Sequence, residues 1–341
     1  MSFTVAGFMN PRDGYGYGTL KIVEALRRRA AVEVIDLGQP VLVDGAPVQQ
    51  WQIDAPTLAV CTPDWLPFID TGDHPLIVHT MFEATRLPAG WVDTLNAHAD
   101  QVVVPCPWNV DVFKGNGVTV PISVARWGVD PRDYFPLKRR YAATTRQSED
   151  WPYTFLWSGT PDARKGWDVA YRAFRQAFGD RDDVRLVLHF RKLPRGVQGV
   201  NDANVDLLVG LFFRPRLRQL LQDVDCFVFP SRGEGWGLPP REAAATGLPV
   251  ITTNYGGLAE EIERWGLPVG VAWMSLANYG PWTDVGEWAE PDIDHVQKWM
   301  LWCRAFPEDA AKFGGQAATW LAEHGTWDRT AEAILRIMNC E

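Results

Sequence analysis

A pair of glutamates beside a glycine-rich loop is the feature of this sequence best suited to bind a ligand. Glu234 and Glu242 stand eight positions apart in the run FPSRGEGWGLPPREAAATGLPVI, which follows an apolar strand and leads into a helix. Glycines let backbone N–H groups approach a ligand closely, and a helix N-terminus attracts an anion such as a diphosphate. Carboxylates at the end of a strand accept hydrogen bonds from sugar and ribose hydroxyls. The segment therefore predicts a site for a diphosphate joined to sugar hydroxyls.

A second glycine-rich run lies near the start of the chain. Gly14, Gly16 and Gly18 follow the first predicted strand and precede a predicted helix over Thr19–Ala30. This context favours the close approach of a phosphate or substrate, but an ordinary strand-to-helix turn fits it equally well.

Positioning these residues requires an alternation of strands and helices, and the chain shows one along nearly its whole length. A polar stretch, Pro136–Pro152, interrupts the alternation and is interpreted as a linker. We therefore predict two doubly wound α/β domains, over residues 1–140 and 150–325, followed by a helix over 326–341. A turn-rich insert is expected over Trp273–Glu290. The predicted strands of the first half are Phe3–Phe8, Val32–Leu37, Thr57–Cys61, Pro75–Thr80, Gln101–Pro105 and Val118–Ser123.

Composition excludes several classes of protein. The chain has 341 residues, of which 46% are hydrophobic and 22% charged, as expected for globular domains with buried cores. The net charge of −9 provides no global attraction to nucleic acid or anionic lipid. Five cysteines are scattered without CxxC spacing, which indicates free thiols. Because no secretion signal or membrane-spanning run is evident, we expect a cytoplasmic protein.

The motifs resemble those of the family 4 retaining glycosyltransferases of GT-B fold. The two glutamates match the E-x7-E signature of that family. The runs NPRDGYGYGTL, WGVDPRDYFP and FLWSGTPDARKGWDVAYRAFRQAF are similar to its first glycine-rich loop, its interdomain segment and the start of its second domain. The resemblance covers most of the chain.

The resemblance implies two Rossmann-like domains facing each other across a cleft, with the last helix returning to the first domain. It implies that Glu242 binds the ribose of a nucleotide sugar, that Glu234 binds the donor sugar, and that Lys165 neutralises the diphosphate. His79 is the candidate cleft histidine, although a core histidine would fit the same pattern. The other donor-binding candidates are Gly16, Gly18, Arg164, Ser231, Gly235, Trp236, Gly237 and Leu238.

The sequence departs from the family pattern at one position. Thr160 stands where the family often has an arginine, so a second phosphate-binding cation is expected from Arg164, Arg191 or Lys192. No metal or cofactor is expected if Lys165 and the helix N-terminus neutralise the leaving group. The DxD matches at Asp223 and Asp292 are interpreted as structural, because acidic residues are common caps at helix starts.

The expected reaction is transfer of a hexose from a nucleoside diphosphate sugar to an acceptor hydroxyl. A GT-B nucleotide-sugar epimerase and a non-catalytic sugar-binding protein are the alternatives. The acceptor stays open between a saccharide, a lipid-linked sugar, a small metabolite, a protein and a hydroxymethylated DNA base. Peripheral contact with a membrane or with DNA is compatible with the sequence but not indicated by it.

Overall fold

The structure is a computed structural model that describes residues 2–39, 41–43, 46–48, 50–138, 151–192, 200–278, 280 and 282–338. These residues divide into two compact units. Unit 1 contains the described residues of Met1–Gly128, Gly280–Gly286 and Thr326–Glu341. Unit 2 contains those of Val129–Tyr279 and Glu287–Gly325. Each unit has its own parallel sheet, so the prediction of two α/β domains is confirmed.

Unit 1 is built on a six-stranded sheet in the order β10-β9-β8-β6-β1-β2, in which every neighbouring pair is parallel. Parallel strands covered on both faces are apolar almost throughout, and the fully buried runs TLAV and LIVH are examples. Its elements up to the end of this sheet are β1 (Ser2–Gly7), α1 (Gly14–Arg27), β2 (Ala31–Asp36), β3 (Val41–Val43), β4 (Ala46–Val48), β5 (Trp51–Gln52), β6 (Thr57–Val60), β7 (Ile69–Asp70), β8 (Leu76–His79), α2 (Trp91–His98), β9 (Gln101–Val104), α3 (Pro107–Gly115) and β10 (Ile122–Val124).

Unit 2 has a second six-stranded parallel sheet, in the order β13-β12-β11-β14-β15-β16. An antiparallel hairpin, β17–β18, follows it in the chain. The elements of unit 2 are β11 (Tyr153–Gly159), α4 (Trp167–Phe178), β12 (Val184–Phe190), β13 (Val205–Val209), α5 (Arg214–Gln222), β14 (Cys226–Phe229), α6 (Leu238–Ala245), β15 (Val250–Thr253), α7 (Ile262–Trp265), β16 (Leu267–Val269), β17 (Val271–Leu276), β18 (Glu287–Pro291), α8 (Ile293–Ala305) and α9 (Pro307–His324).

The last helix, α10 (Trp327–Ile337), belongs to unit 1 and packs on α1. Its buried residues recur at helical spacing, and Trp327 meets Tyr17 edge to face at 6.3 Å between ring centroids. At the surface, Arg28 Nη2 lies 2.8 Å from a carboxylate oxygen of Asp328. The amphipathic face that the sequence indicates is thus covered by α1.

Several predicted elements have different bounds in the structure. Helix α1 begins at Gly14 and not at Thr19, because the Asp13 side chain caps it by accepting from Gly16 N at 2.6 Å. The glycine run predicted as a loop is therefore the first turn of a helix. The predicted turn-rich insert over Trp273–Glu290 contains the arms of the β17–β18 hairpin. The strand predicted over Val118–Ser123 starts only at Ile122.

The two units also divide the chain differently from the predicted boundaries. Residues 129–138 group with unit 2, and Gly280–Gly286 group with unit 1. The predicted linker, Pro136–Pro152, lies mostly outside the described residues. In the part of the chain that the structure describes, no helix combines the length and apolar character that crossing a bilayer needs.

Candidate functional site

The loop that carries Glu234 connects the end of β14 to the start of α6. Strand β14 is buried throughout, and the loop residues Ser231 to Leu238 are buried as well. Gly237 ends the loop in the left-handed region, at φ 87°, a conformation that glycine adopts without a steric penalty. The loop therefore leaves the carboxyl end of a central strand, which is where parallel sheets bind their ligands.

Lys165 lies in a short turn after the neighbouring strand of the same sheet, β11. A 3-10 turn over Ala163–Lys165 is capped by Asp162, whose side chain accepts from Lys165 N. Gly166 follows at φ 69°, and a Cβ there would overlap the carbonyl oxygen of Pro230. The turn can therefore lie directly against the β14–α6 loop only because residue 166 is glycine.

Three of the predicted donor residues meet at one carboxylate oxygen. Oε1 of Glu234 accepts from Lys165 Nζ at 2.6 Å and from Ser231 Oγ at 2.9 Å, and Arg164 Nη1 lies 3.2 Å from it. Arg164 also donates to the carbonyl oxygen of Gly233 at 2.6 Å. We call Arg164, Lys165, Ser231 and Glu234 the donor cluster.

The charge of the donor cluster is fixed by its ion pairs. Burial pushes the pKa of Glu234 upward, but the positive charges of Lys165 and Arg164, with the hydrogen bonds from Lys165 and Ser231, outweigh burial and lower it. Glu234 is therefore ionised at neutral pH. Two cations face one carboxylate, so the donor cluster carries a net positive charge and can hold an anion.

Glu242 lies in a different environment, one turn into α6. It accepts a hydrogen bond from Tyr134, and Arg214, Arg191 and Asp133 are the charged groups that act on it. Burial raises its pKa to about 7 against the lowering effect of Arg214 and Tyr134. The carboxyl group is therefore poised to change its charge near neutral pH.

Arg241 stabilises the backbone of the loop before α6, which is predicted to bind the diphosphate. Its guanidinium lies between two indoles, 3.8 Å from the ring centroid of Trp236 and 4.4 Å from that of Trp265. It donates to the carbonyl oxygens of Trp236 and Gly257, and Gly257 N donates to Glu234 O at 2.8 Å. These contacts fix the chain over Gly235, Trp236, Gly237 and Leu238, where α6 begins.

The predicted site residues of unit 1 are enclosed by their own unit. His79 has 0% of its surface exposed, and its Nε2 lies 3.1 Å from Trp127 Nε1 and 3.2 Å from the Ala125 oxygen. Burial lowers the pKa of His79 to about 4, so the imidazole is neutral at pH 7. His79 thus lies in the environment of the core histidine that the sequence left open as an alternative.

Gly16 and Gly18 are buried in α1, where internal packing alone demands glycine. A Cβ on Gly16 would overlap the Asn10 backbone, and one on Gly18 would lie 2.5 Å from the Trp127 ring. Their small size is therefore accounted for without a ligand.

Of the three cations considered in place of the family arginine at Thr160, Arg164 lies in the donor cluster. Arg191 acts on Glu242, and Lys192 is exposed. One aspartate of each DxD match has a structural role: Asp225 accepts from Thr154 N at 2.8 Å, and Asp292 caps α8. Among the described residues, no group of three or more histidine, cysteine or acidic side chains is arranged to hold a metal ion.

Sequence reasoning missed four residues that support the site: Tyr134, Arg214, Arg232 and Arg241. Arg232 lies in the glycine loop two residues before Glu234, and Arg241 lies in α6 directly before Glu242. Both are in the run that carries the motif, so the sequence offered a signal for them. Tyr134 lies in the run WGVDPRDYFP, which is remote in sequence from Glu242. Nothing in the sequence connects it to that carboxylate.

Part of the chain is similar to known glycosyltransferases. Residues 152–273, which contain the donor cluster and both glutamates, match the family model described as glycosyl transferases group 1. Over 226 residues the chain is 29% identical to a D-inositol 3-phosphate glycosyltransferase of Paenarthrobacter aurescens, a match that covers 63% of this chain and 50% of the relative. The chain spans about half the length of the curated relatives that it matches first.

Solved structures of low sequence identity share the fold of this chain. The crystal structure of Anabaena HepE in complex with UDP and glucose matches with a TM-score of 0.72 at 14% identity, over 100% of both chains. Sucrose-phosphate synthase from Thermosynechococcus elongatus matches with a TM-score of 0.71 at 16% identity, over 100% of this chain and 98% of the other. These likenesses concern the fold, and they confirm the prediction of a GT-B architecture with two Rossmann-like domains.

Proposed function

We propose that this chain transfers a hexose from a nucleoside diphosphate sugar to an acceptor hydroxyl, with retention of the anomeric configuration and without a metal ion. The observation that carries the proposal is the donor cluster, in which Lys165 and Arg164 lie against Glu234 at the ends of β11 and β14. The presence of UDP and glucose in the HepE complex supports a nucleotide sugar as the donor class.

In this proposal the diphosphate binds between two sources of positive charge. Lys165 and Arg164 provide ammonium and guanidinium groups, and Arg164 takes the place of the family arginine that Thr160 replaces. The backbone N–H groups at the start of α6, over Gly235 to Leu238, provide the second source through the helix N-terminus. No cofactor is required because the donor is itself a substrate.

The two glutamates bind different parts of the donor. Glu242 accepts from the ribose hydroxyls, and Glu234 accepts from hydroxyls of the donor sugar while it orients Lys165. His79 is buried and neutral, so we assign it the role of holding Trp127 rather than exchanging a proton with substrate. Gly16 and Gly18 allow α1 to pack closely on Asn10 and Trp127.

The chemistry asked of these residues is electrostatic. As the glycosidic bond to the diphosphate breaks, positive charge develops on the sugar ring and negative charge on the departing phosphate. Preorganised cations next to that phosphate stabilise the transition state more than the ground state, which lowers the barrier. The described side chains of unit 2 therefore act by position and charge, and no covalent nucleophile is assigned.

The acceptor is the open part of the proposal. Several acceptors should be tested. D-inositol 3-phosphate is one of them, because it appears in the name of a relative. Saccharides, lipid-linked sugars and small metabolites are others. We propose that the protein acts in the cytoplasm, where nucleotide sugars are substrates.

A donor screen followed by a turnover assay tests the proposal. UDP-, GDP- and ADP-sugars are ranked by their effect on the unfolding temperature, since a bound ligand stabilises the folded state by mass action. Release of nucleoside diphosphate is then measured with and without each acceptor, in the presence of EDTA, and the anomer formed is read by NMR. Binding without turnover would indicate a sugar-binding protein, and a changed sugar still attached to its nucleotide would indicate an epimerase.

A further inference from the structure

Arg232 lies in the β14–α6 loop, between Ser231 of the donor cluster and Gly233, but its side chain has different partners. The guanidinium is buried and makes a two-pronged ion pair with Asp168, with both nitrogen–oxygen distances at 2.9 Å. Its Nε donates to a carboxylate oxygen of Glu290 at 2.8 Å. A further N–H donates to the carbonyl oxygen of Ala163.

These partners come from three separate elements. Ala163 begins the turn that carries Arg164 and Lys165, Asp168 lies in the first turn of α4, and Glu290 is on β18 of the hairpin. The backbone of Arg232 adds two bonds, because its N–H donates to Arg164 O at 2.7 Å and its carbonyl accepts from Ala289 N at 3.0 Å. One residue therefore ties the loop, the cationic turn and the hairpin together.

The hairpin side of this connection is itself ordered by hydrogen bonds. Ser275 on β17 donates to Glu290 Oε1 at 2.8 Å and accepts from Trp288 Nε1 at 2.9 Å. Glu290, which is on β18, is thereby hydrogen-bonded both to Ser275 on β17 and to Arg232. We call Arg232, Asp168 and Glu290 the arginine brace.

The charge of the arginine brace and the planar shape of the guanidinium together make position 232 specific for arginine. Burial acts to lower the pKa of Arg232, but the hydrogen bonds and charges of Asp168 and Glu290 outweigh it and raise the pKa. Burial acts to raise the pKa of Asp168, and its bond to Arg232 outweighs that effect and lowers it. A planar fork can serve two carboxylates and a carbonyl at once, whereas the point charge of a lysine has no such geometry.

We propose that Arg232 is a positioning residue that holds Lys165 and Arg164 in register with Glu234, and that Glu290 couples the β17–β18 hairpin to the donor cluster. The inference rests on the proposed function for its catalytic meaning. Its structural content, the position of Lys165 and Arg164 and the connection to the hairpin, does not depend on that function. The physical reason is that the short cationic turn is held at its start by Arg232 and at its end by the Gly166 approach to Pro230.

The first test measures how well Lys165 is held, with no nucleotide involved. The folded protein is treated with an amine-reactive ester, and labelling of Lys165 is followed by peptide mass spectrometry. Arg232→Met is expected to raise the labelling rate about fivefold, which corresponds to roughly 1 kcal/mol less local stability. Arg185→Met is the control for the loss of an arginine ion pair, because Arg185 pairs with Asp206 at 2.7 Å on the same sheet, at a more exposed place and away from the donor cluster.

Two further variants keep the test decisive if Arg232→Met unfolds. Glu290→Ala removes only the hairpin side of the arginine brace and is expected to raise Lys165 labelling about threefold. Arg232→Lys keeps the charge but not the fork, so its labelling rate is expected between those of wild type and Arg232→Met. Unchanged Lys165 labelling in either folded Arg232→Met or folded Glu290→Ala overturns the proposal.

The second test is a double-mutant cycle on nucleoside diphosphate binding. Arg232→Met is expected to weaken binding about tenfold in the wild-type background and clearly less in Lys165→Met, because part of its effect passes through Lys165. Equal losses in both backgrounds would show that Arg232 supports the fold generally. If wild type binds no nucleoside diphosphate, the proposed function fails, whereas the labelling result still decides the position of Lys165.

Discussion

At the scale of single residues, two glutamates in one segment have opposite electrostatic environments. Glu234 faces two cations and a hydroxyl, so its pKa is lowered despite burial. Glu242 receives a hydrogen bond from Tyr134 and the field of Arg214, but burial outweighs both and raises its pKa to about 7. The same residue type is therefore a fixed anion in one place and a titrating group in the other.

The raised pKa of Glu242 predicts a pH-dependent contribution to stability. A carboxyl group that holds its proton more tightly in the folded state stabilises the fold at low pH, and this contribution is lost as pH rises from about 4.5 to about 7. Between pH 5 and pH 8 the wild type should therefore lose about 2.5 kcal/mol that Glu242→Gln does not lose.

Urea unfolding of both proteins at the two pH values measures this contribution, since the other titrating groups cancel in the comparison. A stability difference between wild type and Glu242→Gln that is the same at pH 5 and pH 8 would contradict the prediction.

Lys165→Ala tests the role of charge in the donor cluster. Because the ammonium matters most as the phosphate departs, we expect turnover to fall about a hundredfold and donor binding to weaken less. Steady-state kinetics and donor titration separate the two effects. Full activity in this variant would show that Arg164 or another cation holds the phosphates without it.

Glu234→Ala should separate the sugar from the nucleotide. Removing this carboxylate takes away a counter-charge of Lys165 and Arg164, so free nucleoside diphosphate should bind at least as well as to wild type. Use of the intact sugar donor should fall, because the acceptor of the sugar hydroxyls is lost. Titration with both ligands checks the assignment, and equal losses for both would remove the sugar role of Glu234.

At the scale of elements, the sequence predicts the strands of both sheets better than it predicts helix starts and hairpins. The strand predicted over Thr57–Cys61 is β6, Thr57–Val60, since a strand buried on both faces is apolar almost throughout. The start of α1 was missed because glycine suggests a loop. Asp13 caps the helix at this point, and the nearby Asn10 backbone requires a glycine at position 16 inside it. The β17–β18 hairpin was missed because Trp273 and Leu276 are exposed, so its arms lack a clear inside and outside.

The candidate site was predictable to the extent that it lies in contiguous motifs. Lys165, Ser231 and Glu234 follow strands that neighbour each other in the sheet, so topology alone brings them together. Tyr134 and Glu290 reach the site from segments far along the chain, and only tertiary packing reveals them.

A substitution at Gly128 tests how closely the start of α10 approaches the rest of unit 1. A Cβ on Gly128 would overlap the backbone of Thr326 and Trp327, where α10 begins. Gly128→Ala should therefore destabilise unit 1 by about 1–3 kcal/mol, the usual cost of overpacking. Gly115→Ala is the matched control, because no atom of the described residues outside its own helix and chain neighbours lies within 4 Å of a Cβ at that position. Thermal unfolding of the two variants gives the comparison, and equal stabilities would argue against a tight approach.

At the scale of the whole molecule, the chain builds unit 1 from segments that are distant in sequence. Helix α10 covers the apolar face of α1, and its buried residues are Trp327, Thr330, Ala331, Ile334 and Leu335. Ending the chain after Gly325 would leave that face of α1 exposed to water.

Hydrogen exchange on such a truncated chain should show which elements lose protection. We expect faster exchange in α1 and β1, while β11 and β14 keep their protection because unit 2 retains its own sheet and core. Uniform loss of protection in both units would mean that they fold only together.

The late position of α10 has a consequence for protein synthesis. A ribosome delivers β1 and α1 long before the helix that packs on α1, because about three hundred residues separate the end of α1 from the start of α10. At typical rates of about 5–20 residues per second, the apolar side of α1 waits on the order of ten seconds or more for its partner. Unit 2 contains no segment after Gly325. It can therefore finish folding before unit 1, although most of it is translated later.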